Sequence, residues 1–491
     1  MMEEAKLSDD LTINSATELA RLIRTRAVSP VEVMKAYLGR IEELNPKLNA
    51  IVTLAPDLLE RAHRAETEVL KGEAVGALHG VPLTIKDTIE TEGLRTTSGS
   101  RVRAGYIPQM DAPVVARLKA AGAILLGKTN VSELALDYES NNPLFGRSLN
   151  PHNLSRTPGG SSGGEAAAIS ARLSPAGLGS DLSGSIRIPA HFCGIVGLKP
   201  TAGSVPAPGQ FPPAVGPYSL GSTIGPMARS VEDLSLVFNV IAGAHVEFDS
   251  AQKRSEARRQ SIDGLRGLRV AWYTDDQVSP VTESTREAVK RSVGALEAAG
   301  LLSSEQLPPG IERGPGLWME FFSRAILEPL LATYSGREME AGELARFLLK
   351  SFATQPSPSM DEFLGVWRQR DRLRGALLQW MNDVPFIVAP VGATHAFEHG
   401  ARRLSVDGQN VSVFRAFSYS QTFNVYGLPS VCVPAGRAPE DGLPVGVQIV
   451  GRPFEEEMVL SAAAVVEEAL GGWQPTPAPP PALSPEGQNP L

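Results

Sequence analysis

Segments with the 3.6-residue period of helices alternate with short apolar runs of strand character along most of the chain, and this alternation restricts the fold more than any other feature. Ser29-Pro30-Val31-Glu32 combines a capping serine, a proline at the first helical position and a glutamate three residues after the cap, which predicts a helix over 30–43. Leu58, Leu59, Ala62, Ala65 and Val69 then recur at helical spacing, and the period shortens to that of a strand at 81–85. A helix over 112–121 feeds a buried-type strand at 123–126. Further strands are predicted at 268–273, 386–389, 430–433 and 445–450, with helices at 283–299, 316–334 and 455–470. The pattern predicts an α/β fold with a large mixed β-sheet sandwiched between helices.

At 491 residues the chain is long, yet α/β enzymes of this size are built around one sheet. The expected organisation is a helical region at 1–75 packed on a core at 76–245, a C-terminal part of the same α/β domain at 246–473 carrying variable pocket insertions, and a proline-rich tail at 474–491. Apolar residues make up 42% and charged residues 20%, which supports a large core and argues against general disorder. The formal charge of −8 offers no overall attraction to nucleic acid or anionic lipid. Two cysteines cannot build a disulfide framework or a Cys-rich metal site, which fits a reducing compartment. The acidic start of the chain does not read as a signal peptide, and no apolar run reaches the roughly 18 residues of a membrane span, so a cytoplasmic location is expected.

Several motifs carry less than their patterns suggest. Gly122-Ala-Ile-Leu-Leu-Gly127-Lys128-Thr129 matches a phosphate-binding loop, but its interior is itself an apolar strand whose N–H groups would be spent on sheet pairing. His395-Ala-Phe-Glu398-His399 matches an inverted zinc-protease motif, but Gly392 and Gly400 bracket it too closely for a helix. Gly159-Gly-Ser161-Ser-Gly163 fits a nucleophile elbow without the strand that must precede one. Cys193 and Cys432 lie in apolar contexts that favour packed thiols.

Three blocks remain: Gly80-Val-Pro-Leu-Thr-Ile-Lys86-Asp87, Pro158-Gly-Gly-Ser161-Ser162-Gly-Gly-Glu165, and Gly179-Ser-Asp181-Leu-Ser183-Gly184-Ser185-Ile-Arg187-Ile-Pro189. In this order they resemble the amidase signature family of serine hydrolases, and 139–146 with 209–216 look closest to its fatty-acid-amide-hydrolase-like branch. The resemblance implies Ser185 as nucleophile, Ser161 as bridging serine after a cis Gly160–Ser161 bond, and Lys86 as base. It also implies Ser162, Asp181 and Arg187 as supporting residues. The residues themselves agree: no histidine is placed to take the proton of an attacking alcohol, and a lysine serves if burial keeps it neutral. Strand alternation sends Asp87 to the face opposite Lys86. Backbone N–H groups of Leu182, Ser183, Gly184 and Ser185 are the candidate oxyanion donors. Ser183 stands where the family usually has glycine, and a positive φ there would strain a serine.

The resemblance places the acyl channel at Leu136 and Tyr138, and Trp318 and Phe322 of the 316–334 helix are expected to add to this pocket. The function expected on this footing is a stand-alone amide hydrolase working through an acyl-serine, on hydrophobic acyl or aryl amides, with carbamates (urethanes) and esters as further substrates. No metal or organic cofactor is expected. The expected partners are a small-molecule amide, carbamate or ester and at most a second copy of the chain in a homodimer, with no nucleic acid and no transmembrane segment. The alternative is the amidase component of a tRNA-dependent amidotransferase, which shares all three blocks and works in an assembly that uses the released ammonia.

Overall fold

The computed structural model describes residues 10–73, 75–242, 262–353 and 359–476, and of 324–328 and 352–353 the backbone alone. The expected tail beyond 476 lies outside the described residues.

Eleven strands form one sheet: β1 (Ile51–Leu54), β2 (Pro82–Lys86), β3 (Ile124–Thr129), β4 (Ala176–Asp181), β5 (Val196–Lys199), β6 (Thr223–Ala228), β7 (Arg269–Trp272), β8 (Leu302–Glu305), β9 (Phe386–Pro390), β10 (Ser430–Arg437) and β11 (Pro444–Val450). Their order across the sheet is β1-β3-β2-β4-β6-β5-β10-β11-β9-β7-β8. β3, β2 and β4 run parallel, as do β9, β7 and β8, and the strands between these groups pair antiparallel. The mixed sheet sandwiched by helices is therefore as expected.

Successive side chains of a strand point to opposite faces, and the apolar residues follow that rule. Leu83, Ile85, Leu125, Val431, Val433, Val447 and Ile449 join one core layer with the helices Ala16–Arg24, Pro113–Ala120, Val231–Ala242, Glu283–Ala298 and Glu456–Leu470. Ile124, Leu126, Cys432, Ile387 and Val450 fall in layers on the other side. Lys86, one residue after Ile85, thereby projects away from the larger layer.

The helix expected over 30–43 runs Pro30–Leu48, longer than expected, and opens with both halves of the predicted capping box between Ser29 and Glu32. From Ile124 to Thr129 the phosphate-loop pattern is a fully buried strand, and Lys128 Nζ donates to Thr91 Oγ1 at 3.1 Å and to Ile89 O. His395 pairs with Asp441 and His399 with Glu139, outside any helix. Among the described residues no His, Cys, Asp or Glu cluster is suited to a metal, and no helix is long and apolar enough to cross a membrane. Both thiols are free and buried, and burial raises each above the ordinary thiol range.

Candidate active site

Lys86 ends β2, a central strand held between β3 and β4, and is fully buried. Its Nζ lies 2.6 Å from Ser161 Oγ, 3.0 Å from Ser180 Oγ and 3.3 Å from Ser180 O. Burial pulls its pKa down to about 7, against the opposing pull of Asp181 and Glu165. Asp87 turns the other way and accepts from Thr97, so no direct ion pair with Lys86 holds the amine charged.

Ser161 follows the cis Gly160–Ser161 peptide and precedes the helix Gly163–Ser170. Glycine at 160 is a packing requirement, since a Cβ there would come within 2.4 Å of Asp137 O. Ser162 ties the two serine blocks together: its N–H donates to Ser185 O at 3.2 Å and its hydroxyl to Ser180 O at 3.3 Å.

β4 ends at Asp181, and the chain turns through Leu182–Ser185 into the helix Arg187–Cys193. Asp181 accepts from the N–H of Gly184 at 2.8 Å and of Ile186 at 3.1 Å, and from Arg187 Nε and Nη2 at 3.0 Å each. Burial alone would raise its carboxyl, but the Arg187 guanidinium holds it well below the usual carboxylate range. Arg187 is itself fully buried and also donates to Gln448 Oε1 at 2.7 Å, Asn424 Oδ1 at 2.6 Å and Ser420 O at 3.0 Å.

The left-handed conformation in the turn falls on Gly184 (φ 100°) and not on Ser183, so the serine carries no backbone strain. Gly184 N–H is committed to Asp181. Among the described residues the amides of Leu182, Ser183 and Ser185 have no protein acceptor.

Ser161, Ser180, Leu182, Ser183 and Ser185 face one cavity of about 400 Å³. Leu136, Tyr138 and Trp318 line it with Leu134, Phe347 and Phe414. Phe322 does not line it. Its ring is fully buried, packed edge-on against Phe321 and Tyr218 and tilted behind Trp318. Ser185 Oγ and Ser161 Oγ share the cavity without a hydrogen bond between them.

Sequence reasoning passed over Ser180, Glu165, Asn424 and Gln448. Glu165 accepts from Thr84 and, at 2.7 Å, from Thr129, and burial pushes it up to about 7. Gln448 had a usable signal, a lone amide inside the apolar strand Pro-Val-Gly-Val-Gln-Ile-Val.

A sequence profile of the amidase family matches residues 32–460. The chain is 35% identical over 485 residues to a subunit of glutamyl-tRNA(Gln) amidotransferase from Carboxydothermus hydrogenoformans, covering 92% of this chain and 96% of the relative. It is also 35% identical over 499 residues to the protein of the same name from Anaeromyxobacter sp. (strain K), covering 95% and 99%. Among solved structures, 6-aminohexanoate cyclic dimer hydrolase superposes with a TM-score of 0.79 at 29% identity, covering 94% of this chain and 98% of that one. These relatives correct two expectations. A stand-alone hydrolase of hydrophobic amides gives way to the alternative, because full-length relatives are subunits of an amidotransferase. The expectation of small-molecule partners without nucleic acid falls for the same reason, since the name of those relatives specifies a tRNA. The fatty-acid-amide-hydrolase-like branch finds no support in these relatives. The chain belongs to the amidase family, whose members act on C–N bonds.

Proposed function

We propose that this chain is the amide-hydrolysing component of a tRNA-dependent amidotransferase, freeing ammonia from a donor amide for use elsewhere in the assembly. The observation that carries this reading is identity at the level of one residue in three along nearly the whole length of the amidotransferase relatives. The site supplies chemistry suited to that task. Neutral Lys86 accepts the proton of Ser161, to which it is already hydrogen-bonded. Ser185, rotated about its side chain toward Ser161, passes its own proton along this path as Oγ bonds to the amide carbon. The C=O electron pair moves to oxygen, where free N–H groups of the 182–185 turn receive it. Collapse breaks the C–N bond, the relay returns the proton to nitrogen, and ammonia leaves. Water then attacks the acyl-serine by the same route and releases the acid.

The test is reconstitution with the other components of such an assembly and glutamyl-charged tRNA, following amide 15N from a labelled donor. Transfer of label to the tRNA-bound glutamate, lost in Ser185→Ala, is expected. Rapid hydrolysis of simple anilides by the chain alone, with no label transferred in the full mixture, would overturn the proposal.

A further inference from the structure

Two aromatic side chains that line the cavity also grip the turn before Ser185 from outside. Trp318 Nε1 donates to Leu182 O at 2.7 Å. Tyr138 OH donates to the next carbonyl, Ser183 O, at 3.0 Å, and is hydrogen-bonded to the Ser183 hydroxyl as well. Gln421 Nε2 donates to the phenol oxygen at 2.9 Å, so that oxygen has one proton to give and acceptor sites for its other neighbours. Three of these side chains are shielded, with Tyr138 and Trp318 at 5% and 3% exposure and Gln421 at 1%.

In a trans peptide the C=O and the following N–H point in opposite directions. A hydrogen bond that anchors Leu182 O therefore sets where Ser183 N–H aims. The next peptide is pinned at both ends, its oxygen by Tyr138 and its Gly184 N–H by Asp181 at 2.8 Å. Pinning successive peptide planes removes the rotation by which a small-residue turn would flip a donor away from the reacting oxygen. Phe414 bridges the two anchors, with ring centroids 6.0 Å from Tyr138 and 5.4 Å from Trp318. The Ser183 hydroxyl gives Tyr138 a second hold that a glycine at 183 could not offer.

We propose that Tyr138 and Trp318 are positioning residues that fix the oxyanion-binding turn 182–185, acting through the carbonyls of Leu182 and Ser183. This rests on the reading of Ser185 as the nucleophile, and the experiment separates the two. A p-nitrophenyl phosphonate ester is the probe: attack by Ser185 Oγ forms an O–P bond, expels p-nitrophenolate and leaves a phosphoryl oxygen where the oxyanion would sit. It needs no partner protein. Tyr138→Phe and Trp318→Phe keep an aromatic ring and delete the hydrogen-bond donor.

Each variant is expected to lose at least about tenfold in the maximal inactivation rate, with the half-saturating probe concentration changed less than about threefold and the adduct still on Ser185; loss of one oxyanion donor outright costs about 10²–10³. In Tyr138→Phe, adding Ser183→Gly should cost little more, since the hydroxyl has already lost its partner. An unchanged maximal rate, or a loss confined to half-saturation, would overturn the proposal by reducing both residues to pocket wall. An unaltered rate accompanied only by a lower Tm would overturn it too. An adduct on a residue other than Ser185 in the unmodified chain would instead remove the nucleophile assignment, and the positioning role with it.

Discussion

A lysine held dry inside a sheet is a costly structural element and an effective base. With its pKa lowered to about 7, Lys86 is mainly neutral above that pH and mainly an ammonium below it. Under chemistry-limited conditions kcat/KM should therefore plateau above about pH 8 and fall about tenfold per pH unit well below 7, which a stopped-flow profile of ammonia release between about pH 5 and 9 would follow. A flat profile would contradict this. Lys86→Met should abolish turnover while raising Tm. The sign follows from proton counting: between about 7 and 10.5 the unfolded lysine binds the proton and the folded one does not, so the amine costs most stability at and below pH 7 and progressively less toward 10.5. The gain in Tm on substitution should shrink accordingly when measured at about pH 9. Ser185→Ala should cut ammonia release at least about 10³-fold with circular dichroism unchanged, a size usual for removing a nucleophile.

Between elements, the decisive residue is Arg187. From the start of one helix it joins the end of β4 through Asp181, the helix Ser418–Val425 through Asn424, and β11 through Gln448. Arg187→Met strands the Asp181 carboxylate without its main counter-charge, and a loss of about 3–5 kcal/mol is expected in urea unfolding. By contrast Ser29→Ala removes one exposed cap from Pro30–Leu48 and should cost only about 1 kcal/mol by the same measurement. This contrast also marks what could be read from the chain. The capping box is a local pattern, and both its bonds are present. Lys86, Ser161 and Ser185 could be singled out because they stand in ordered blocks, and the structure sets Lys86 against Ser161. Two partners of Arg187, Asn424 and Gln448, come from more than two hundred residues away, where no local periodicity reports the pairing. Whether Ser183 takes a positive φ is open in the sequence for a related reason: the choice between the residues of a Ser-Gly pair is made by the hydrogen bonds around them, and Gly184 takes it.

Across the whole molecule, strand periodicity revealed a layered α/β fold but not its strand order, because β5 pairs with β10 and β6 while its neighbour in sequence, β4, lies beyond β6. Function was less legible still. The serine and lysine blocks describe bond cleavage, which a free-standing hydrolase and an amidotransferase component perform alike, so nothing within them distinguishes the two. The position of Arg187 has a consequence for synthesis on the ribosome. Its guanidinium has Asp181 close by in the chain from the outset, but Asn424 and Gln448 come only with the helix Ser418–Val425 and β11, so the end of β4 is expected to stay incompletely packed until both have emerged from the exit tunnel. Stalled nascent chains released before residue 418 should be cut by added protease near 181–187, while chains stalled well past 450 should resist, making the newborn enzyme inert until its final stretch is made.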